Sequence, residues 1–225
     1  EDLEALLVIV KIGHHMLPLV RLLSFFPDRL QVAKGTYLCI QADRVGAPPG
    51  RRQAVGAECS PARQTRVQVV QGNFNELGTV LDQIGVGKVN GILFDLGVSS
   101  HQIDLPQRGF SYMREGPLDM RMDKTLNVTA ADLLNILTKG ELYEIFNNLG
   151  QEHNAWSISS AIISARRIKR IETTDELVGI IAGVYKVKDL TDFKKNELCK
   201  RVFQALRIAV NSELENLEVG LEESI

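Results

Sequence analysis

Residues 67–95 read VQVVQGNFNELGTVLDQIGVGKVNGILFD, and this stretch decides the class of fold. Residues 67–70 and 91–94 are short apolar runs bounded by charges or turn residues, a pattern typical of buried strands. Residues 75–84 between them are predicted to form a helix. A strand–helix–strand unit builds a parallel sheet, whose ligands bind at the carboxyl ends of the strands. Asp95 stands at such an end and is therefore a candidate site residue.

The composition is typical of a soluble globular protein. The chain has 225 residues, which is enough for one large domain or two small ones with a sizeable core. Lys and Arg total 26 against 28 Asp and Glu, which excludes a strongly basic nucleic-acid arm and an acidic disordered tail. Three scattered cysteines without a CxxC pair argue against a disulfide framework and against a zinc site, so a reducing compartment is expected.

The first 66 residues give weaker signals. Residues 37–40 predict a further strand. Residues 3–26 are apolar, but charged and histidine side chains interrupt them too often for a membrane span. For residues 5–27 a buried helix is the favoured interpretation, and an organelle-targeting segment is the alternative. Residues 44–66 hold five Arg and one acid among Pro and Gly, which favours a solvated linker over an RNA-touching loop.

A block of helices is predicted after residue 128. The predicted helices cover residues 129–137, 141–149, 152–169 and 173–184, with a long final helix from about 194 to 221. Thr129 is a plausible N-cap of the first, with Asp132 three residues further on. The final helix carries an apolar stripe at helical spacing. A helical block therefore follows an α/β beginning.

Residues 94–123 carry the candidate chemistry and read FDLGVSSHQIDLPQRGFSYMREGPLDMRMD. A loop of this length with acids, arginines, aromatics and methionines is more typical of an ordered binding loop than of a linker. Within 118–123 polar and apolar residues alternate, so an extended backbone would put Asp119, Arg121 and Asp123 on one side. An Arg between two Asp fits either an internal ion-pair brace or a substrate site. Spacing alone leaves both open.

Several motifs in order resemble one family. They are residues 71–74 (QGNF), 95–100 (DLGVSS), Gln102, 108–111 (RGFS), 116–123 (GPLDMRMD) and 202–211 (VFQALRIAVN). Together they resemble the ribosomal small-subunit RNA cytosine-N4 methyltransferases, the MraW/RsmH family. The resemblance extends from about residue 67 to 215.

The resemblance implies a fold class and a domain plan. The expected architecture is α/β, with a Rossmann-like S-adenosylmethionine-dependent methyltransferase domain, incomplete here, and an inserted all-helical domain. The partial methyltransferase domain would cover residues 1–108, of which 1–66 are atypical. The helical insert would cover 109–205, and a helix over 206–225 would return to the first domain.

The resemblance also implies roles for particular residues. The cofactor S-adenosylmethionine would be bound by Asp43, Phe74, Asp95 and Gln102. Asp95, helped by Ser99 and Ser100, would accept hydrogen bonds from the cytosine amine, with no covalent nucleophile and no metal. The residues expected to contact the RNA are Phe110, Asp119, Arg121, Asp123, Arg166, Arg167 and Arg207. For Arg166 and Arg167, complementation of the dipole at a helix C-terminus is the alternative role.

The expected partner is small-subunit ribosomal RNA or the assembling small subunit, with a homodimer as a further assembly and no membrane. The expected compartment is the cytoplasm, or alternatively the mitochondrial matrix. The family's glycine-rich loop, of the form Asp-x-Thr-x-Gly-x-Gly-Gly-His, is not found in this sequence. This favours an alternative function, a catalytically inactive RNA-binding or ribosome-assembly protein. A small-molecule methyltransferase is the third hypothesis.

Overall fold

The computed structural model describes residues 7–11, 36–41, 66–87, 89 and 91–225. The chain divides into two compact units, one formed by 1–101 with 215–225 and the other by 102–214. Asp43 and residues 44–65 of the predicted linker lie outside the described residues, whereas residue 66 is the first residue of a strand.

The described part of the first unit contains a four-stranded parallel sheet. Its strands are β1 (Leu7–Lys11), β2 (Thr36–Gln41), β3 (Arg66–Gln71) and β4 (Gly91–Asp95). Their spatial order is β3-β2-β1-β4, and every neighbouring pair is parallel. The three strands predicted over 37–40, 67–70 and 91–94 are confirmed. In the register of the sheet Asp95 lies opposite Lys11, so both stand at the carboxyl edge.

Strand β1 corrects the prediction of a buried helix within residues 5–27. Leu7–Lys11 pairs with β2 on one side and with β4 on the other, so it is an inner strand of the sheet. Its sequence, LVIVK, is a short apolar run rich in β-branched residues, as strands of parallel sheets are. Periodicity cannot separate such a run from a buried helix, which is why the sequence prediction was wrong here.

The predicted helix over 75–84 is confirmed. A 3₁₀ turn, Phe74–Glu76, leads into α1 (Leu77–Gln83). Residues 215–225 pack on this connection: Asn75 donates a hydrogen bond to Asn216 at 2.8 Å. The Gly78 backbone N–H donates to the Glu223 carboxylate at 2.7 Å.

The second unit is helical and begins within the short helix α2. Its elements are α2 (Ser100–Asp104), a 3₁₀ turn (Pro106–Arg108), α3 (Ala130–Ile136), α4 (Lys139–Glu144) continued by a π-helix (Ile145–Leu149), α5 (Ala155–Arg166), α6 (Thr174–Val184) and α7 (Asp192–Asn211). Thr129 caps α3, with Asp132 closing the capping box, as predicted. None of the helices in the described part of the chain is long and apolar enough to cross a membrane.

The long final helix is instead two helices. Ser212, with φ 46°, takes a left-handed conformation, so α7 ends at Asn211 and α8 spans Glu213–Glu222. A left-handed residue cannot continue the helical hydrogen-bond ladder. The apolar stripe continues across the single interrupting residue, so the spacing gave no sign of the break.

Glu176 makes the start of α6 sensitive to acid. Its carboxylate accepts hydrogen bonds from the backbone N–H groups of Glu172 and Thr173 and from the Lys169 ammonium. These hydrogen bonds, the one from Glu172 first, lower the pKa of Glu176 from 4.5 to about 2. The unfolded chain therefore binds a proton before the folded one does, and this stabilisation is lost as the pH falls from 4.5 towards 2.

We therefore expect Glu176→Gln to reduce the urea midpoint at pH 7 and to make the midpoint less dependent on pH below 4.5. Urea unfolding followed by circular dichroism between neutral and acid pH measures this. The account of Glu176 is wrong if the variant and wild-type curves run parallel throughout the acid range.

Candidate functional site

Asp95 is the last residue of β4, and its side chain is exposed. The backbone then turns through Gly97, whose φ of 100° is open to glycine and strained for other residues. Ser99 is half-buried, and Ser100 is the first residue of α2. The structure therefore puts the predicted carboxylate where parallel sheets bind their ligands.

The other predicted cofactor residues are buried. Phe74 is 4% exposed, and its ring packs edge-to-face on Phe94 with the centroids 6.2 Å apart. It therefore belongs to the core next to Asp95. Gln102 is 1% exposed and belongs to the second unit. Their roles in cofactor binding stay predictions.

The alternation of buried and polar side chains predicted for residues 118–123 is confirmed, although the left-handed backbone of Met120 (φ 58°) departs from the extended conformation that the prediction assumed. The apolar side chains of Leu118, Met120 and Met122 are buried, whereas the polar side chains between them are half-buried. One side of the segment therefore packs into the core, and the other side is polar and accessible to solvent.

Asp119 and Arg121 form an ion pair, which was one of the two roles that the sequence allowed for them. The Arg121 Nε and Nη2 donate to the two Asp119 carboxylate oxygens at 2.6 and 3.0 Å. Burial raises the pKa of Asp119, but the hydrogen bonds and charge of Arg121, with the charge of Arg108, outweigh burial and hold it below 3.8. Arg121 also donates to the Leu126 carbonyl at 2.6 Å. The pair braces the loop.

Two buried polar side chains hold the backbone of this segment. Arg108 is 3% exposed and donates to the carbonyls of Arg121 and Met122 at 2.8 and 3.0 Å. Asn211 accepts a hydrogen bond from the Met122 N–H at 2.6 Å and donates to the Met120 carbonyl at 2.8 Å. Met120 itself has a left-handed φ of 58°. Such a conformation persists only where neighbouring contacts enforce it.

Gly109 allows this close packing. It has a φ of 71°, and a Cβ added there would lie 2.1 Å from the Pro117 carbonyl oxygen. Only glycine fits this approach of two backbone segments without displacing them.

Comparison with known proteins identifies the family. The model of the MraW methylase family matches residues 53–225, more than half of the chain. The chain belongs to the MraW methylase family. Membership implies the fold of S-adenosylmethionine-dependent methyltransferases, and the parallel sheet ending in Asp95 is consistent with it.

Curated relatives in the MraW family carry one name, ribosomal RNA small subunit methyltransferase H. The protein of Citrifermentans bemidjiense is 46% identical over 157 residues, covering 70% of this chain and 50% of the relative. That of Pelobacter propionicus is 47% identical over 159 residues, covering 71% and 50%. That of Persephonella marina is 43% identical over 162 residues, covering 71% and 54%. The chain thus spans about half the length of the relatives it matches.

An S-adenosylmethionine site in an MraW protein needs acceptors for amine and hydroxyl groups. The exposed Asp95 carboxylate at the sheet edge supplies one, and its chemistry fits. Asp43, expected at the ribose, lies outside the described residues. Among the described residues, no cluster of three or more His, Cys, Asp or Glu could hold a metal ion. Burial raises the pKa of the Cys199 thiol to about 12, so this thiol stays protonated and is a poor nucleophile.

The arginines expected to bind RNA differ in their surroundings. Arg166 is half-buried and donates to the carbonyls of Leu134 and Leu137, both at 2.7 Å, so it satisfies the end of α3. Arg167 is exposed. Arg207 donates to the Glu213 carboxylate at 2.6 and 3.0 Å, across the break at Ser212. Arg167 is therefore the most accessible of the three.

The other residues predicted to contact RNA also make contacts within the second unit. Phe110 is 8% exposed, and the Arg108 guanidinium lies 5.8 Å from its ring centroid. Asp123 accepts a hydrogen bond from the Thr125 N–H at 2.9 Å. A contact of Phe110 or Asp123 with RNA stays a prediction.

We expect Arg166→Ala to destabilise the fold, because it leaves two carbonyls at the end of α3 without their charged donor. The free energy of unfolding should fall by about 2 kcal/mol. Arg167→Ala, the adjacent exposed arginine, should change it by less than about 0.5 kcal/mol and should instead weaken RNA binding. Urea unfolding and RNA titration of both variants measure the difference. Equal stability of the two variants would contradict the capping role.

Sequence reasoning missed Trp156 and Lys139. The Lys139 ammonium lies 3.7 Å from the centroid of the Trp156 ring, and Trp156 is 54% exposed. The sequence contained a signal for Trp156, because the only tryptophan of the chain lies in a helix free of acidic residues.

Proposed function

We propose that this protein methylates the exocyclic N4 amine of a cytidine in small-subunit ribosomal RNA, with S-adenosylmethionine as methyl donor. Membership of the MraW family and the names of its relatives support the reaction class and the substrate. The observation that carries the proposal is the exposed Asp95 carboxylate at the carboxyl end of a parallel strand.

The architecture proposed with this function is a Rossmann-like domain with a helical insert. The parallel sheet supports the first part, and the all-helical unit 102–214 supports the second. Residues 215–225, which cluster with the sheet, support a return of the chain to the first domain.

The cytosine amine is a weak nucleophile because its lone pair is delocalised into the ring. Asp95 accepts hydrogen bonds from this amine and orients it, and these bonds strengthen as positive charge develops on the nitrogen. Ser99 and Ser100, which follow in the chain, supply shorter donors and acceptors. S-adenosylmethionine, when bound, would supply the electrophilic methyl group and would leave as S-adenosylhomocysteine, while the amine nitrogen would lose one proton to solvent. The base must also leave its stack to reach this edge of the sheet.

The experiment is methyl transfer from labelled S-adenosylmethionine to deproteinised small-subunit ribosomal RNA, followed by digestion to nucleosides. The expected product is N4-methylcytidine. A label on another nucleoside contradicts the proposed amine target, and a folded chain that transfers no label contradicts the reaction. Isolated small subunits used as a second substrate distinguish free RNA from an assembly intermediate.

The second candidate is a catalytically inactive RNA-binding or ribosome-assembly protein. The absence of the family's glycine-rich loop from the sequence favours it. Such a protein would bind the RNA, with an affinity that falls steeply as salt increases, but would bind no S-adenosylmethionine.

We propose further that the protein acts in the cytoplasm or, as an organellar copy, in the mitochondrial matrix. Fractionation of the source cells separates the two. A homodimer remains part of the proposal, and sedimentation of the purified chain measures it.

A further inference from the structure

Helices α4 and α5 carry a surface cluster of one cation and two aromatic rings, in which Trp156 is exposed and Lys139 and Tyr143 are half-buried. The Lys139 ammonium lies over the Trp156 ring at 3.7 Å from its centroid. The Tyr143 ring meets the same indole edge-to-face, with the centroids 5.6 Å apart. Trp156 is nevertheless 54% exposed. Both side chains therefore pack against the indole, while Trp156 stays exposed to solvent.

Lys139 and Tyr143 contact the Trp156 ring, which does not pack into the hydrophobic core. Burial of α5 falls on its other side, where Ile158 and Ile162 are fully buried. Trp156 therefore lies on the solvent-facing side of α5 and is not part of the hydrophobic core. An exposed aromatic ring next to a cation is the arrangement on which nucleic-acid bases stack.

A second cation lies on the same side of the helix. Arg167 follows Trp156 by eleven residues, close to three turns, so the two residues lie about 16 Å apart along one side. Arg167 is exposed, and no ion pair within the described residues engages it. Ser160 and Ser164 are the small polar residues between them on the helix surface.

The charge on α5 favours a polyanion at Arg167. Residues 153–171 contain no Asp or Glu. Of the four bases there, Arg166 donates to backbone carbonyls, Lys169 pairs with Glu176, and Arg170 lies 3.7 Å from Asp132 and 3.8 Å from Glu172, so the charge available to an anion is that of Arg167. On α4 the neighbouring Glu141 carboxylate is occupied by hydrogen bonds from Thr138. A protein partner is a weaker match, because lysine is depleted from the cores of protein interfaces.

We propose that Trp156, Lys139 and Arg167 form a binding surface for single-stranded RNA, which we call the Trp156 surface. A base stacks on the face of the indole opposite the Lys139 ammonium, and the two cations bind the flanking phosphates. The proposal deepens the proposed function and rests on it, because it names the part of the helical unit that holds the RNA substrate.

Trp156 is the only tryptophan in the chain, so its fluorescence reports this surface alone. Titration of the full chain with a single-stranded RNA of about twelve nucleotides should quench the fluorescence. Heparin, a polyanion without bases, should compete for binding without comparable quenching. Anisotropy of a fluorescein-labelled RNA then measures affinity for variants that lack the indole.

Trp156→Ala should weaken RNA binding about tenfold, and Trp156→Phe should recover most of the loss because a stacking face returns. Phe193→Ala is the matched control: Phe193 is 77% exposed and stands beside Lys194 and Lys195, outside the Trp156 surface. It should leave the affinity unchanged. Arg167→Ala should reduce the dependence of affinity on salt.

Two results would overturn the proposal. One of them would leave the proposed function standing, and the other would contradict that function as well. If wild type binds the RNA and Trp156→Ala binds equally well, the surface is wrong while RNA methylation stands. If folded wild type binds neither the oligonucleotide nor ribosomal RNA, the proposed function falls together with the surface.

Discussion

Replacing Asp95 by alanine lowers methyl transfer to ribosomal RNA by about 10²–10³-fold or more, with the fold unchanged. The side chain is exposed at the end of β4, so its removal leaves no cavity in the core. It removes the acceptor that orients the cytosine amine and stabilises its developing positive charge. The measurement is single-turnover transfer of labelled methyl groups, with circular dichroism as the test of folding.

Asp104→Ala is the matched control for this loss. Asp104 is also an exposed aspartate, at the end of α2, and its ion pair with Arg114 is long at 3.7 Å and solvent-exposed. Such pairs contribute little to stability. The control should keep wild-type transfer. Near-wild-type transfer by the Asp95 variant would remove the assigned role from this carboxylate.

Replacing Asn211 by alanine should lower the free energy of unfolding by about 3 kcal/mol. The side chain is 8% exposed and bonds the Met122 N–H, the Met120 carbonyl and the Arg207 carbonyl. Alanine leaves the first two groups buried without this partner, and each buried unpaired group is costly. The loop 118–123 should loosen as well, because Met120 keeps its left-handed backbone only under such contacts.

Gln204→Ala provides the control on the same helix. Gln204 is an exposed residue of α7, so its replacement should change the unfolding free energy by less than about 0.5 kcal/mol. Urea unfolding of both variants compares them directly. An Asn211 variant as stable as the Gln204 variant would show that the loop does not depend on this clamp.

Local signals predicted the parts of the fold that depend on neighbouring residues. The strands over 67–70 and 91–94 follow from apolar runs between turn residues, and the capping box at Thr129 follows from a spacing of three. The alternation along 118–123 correctly separated the buried methionines from the polar side chains. Asp95 at a strand end was predicted from the same reasoning.

What the sequence could not predict depends on distant partners. The strand Leu7–Lys11 is specified by pairing with β2 and β4, and its short apolar run alone fits a helix equally well. Arg166 looks like an RNA ligand until its partners, the carbonyls of Leu134 and Leu137, are known. The break at Ser212 depends on a single residue, and the apolar stripe passes over it.

Calorimetric titration of the full chain with S-adenosylmethionine tests the central claim most directly. The account predicts saturable binding at one site per chain, weakened in Asp95→Ala and unchanged in Asp104→Ala. Circular dichroism of the same samples establishes that each is folded. A folded wild-type chain that binds no S-adenosylmethionine would contradict the methyltransferase proposal and favour the inactive RNA-binding alternative.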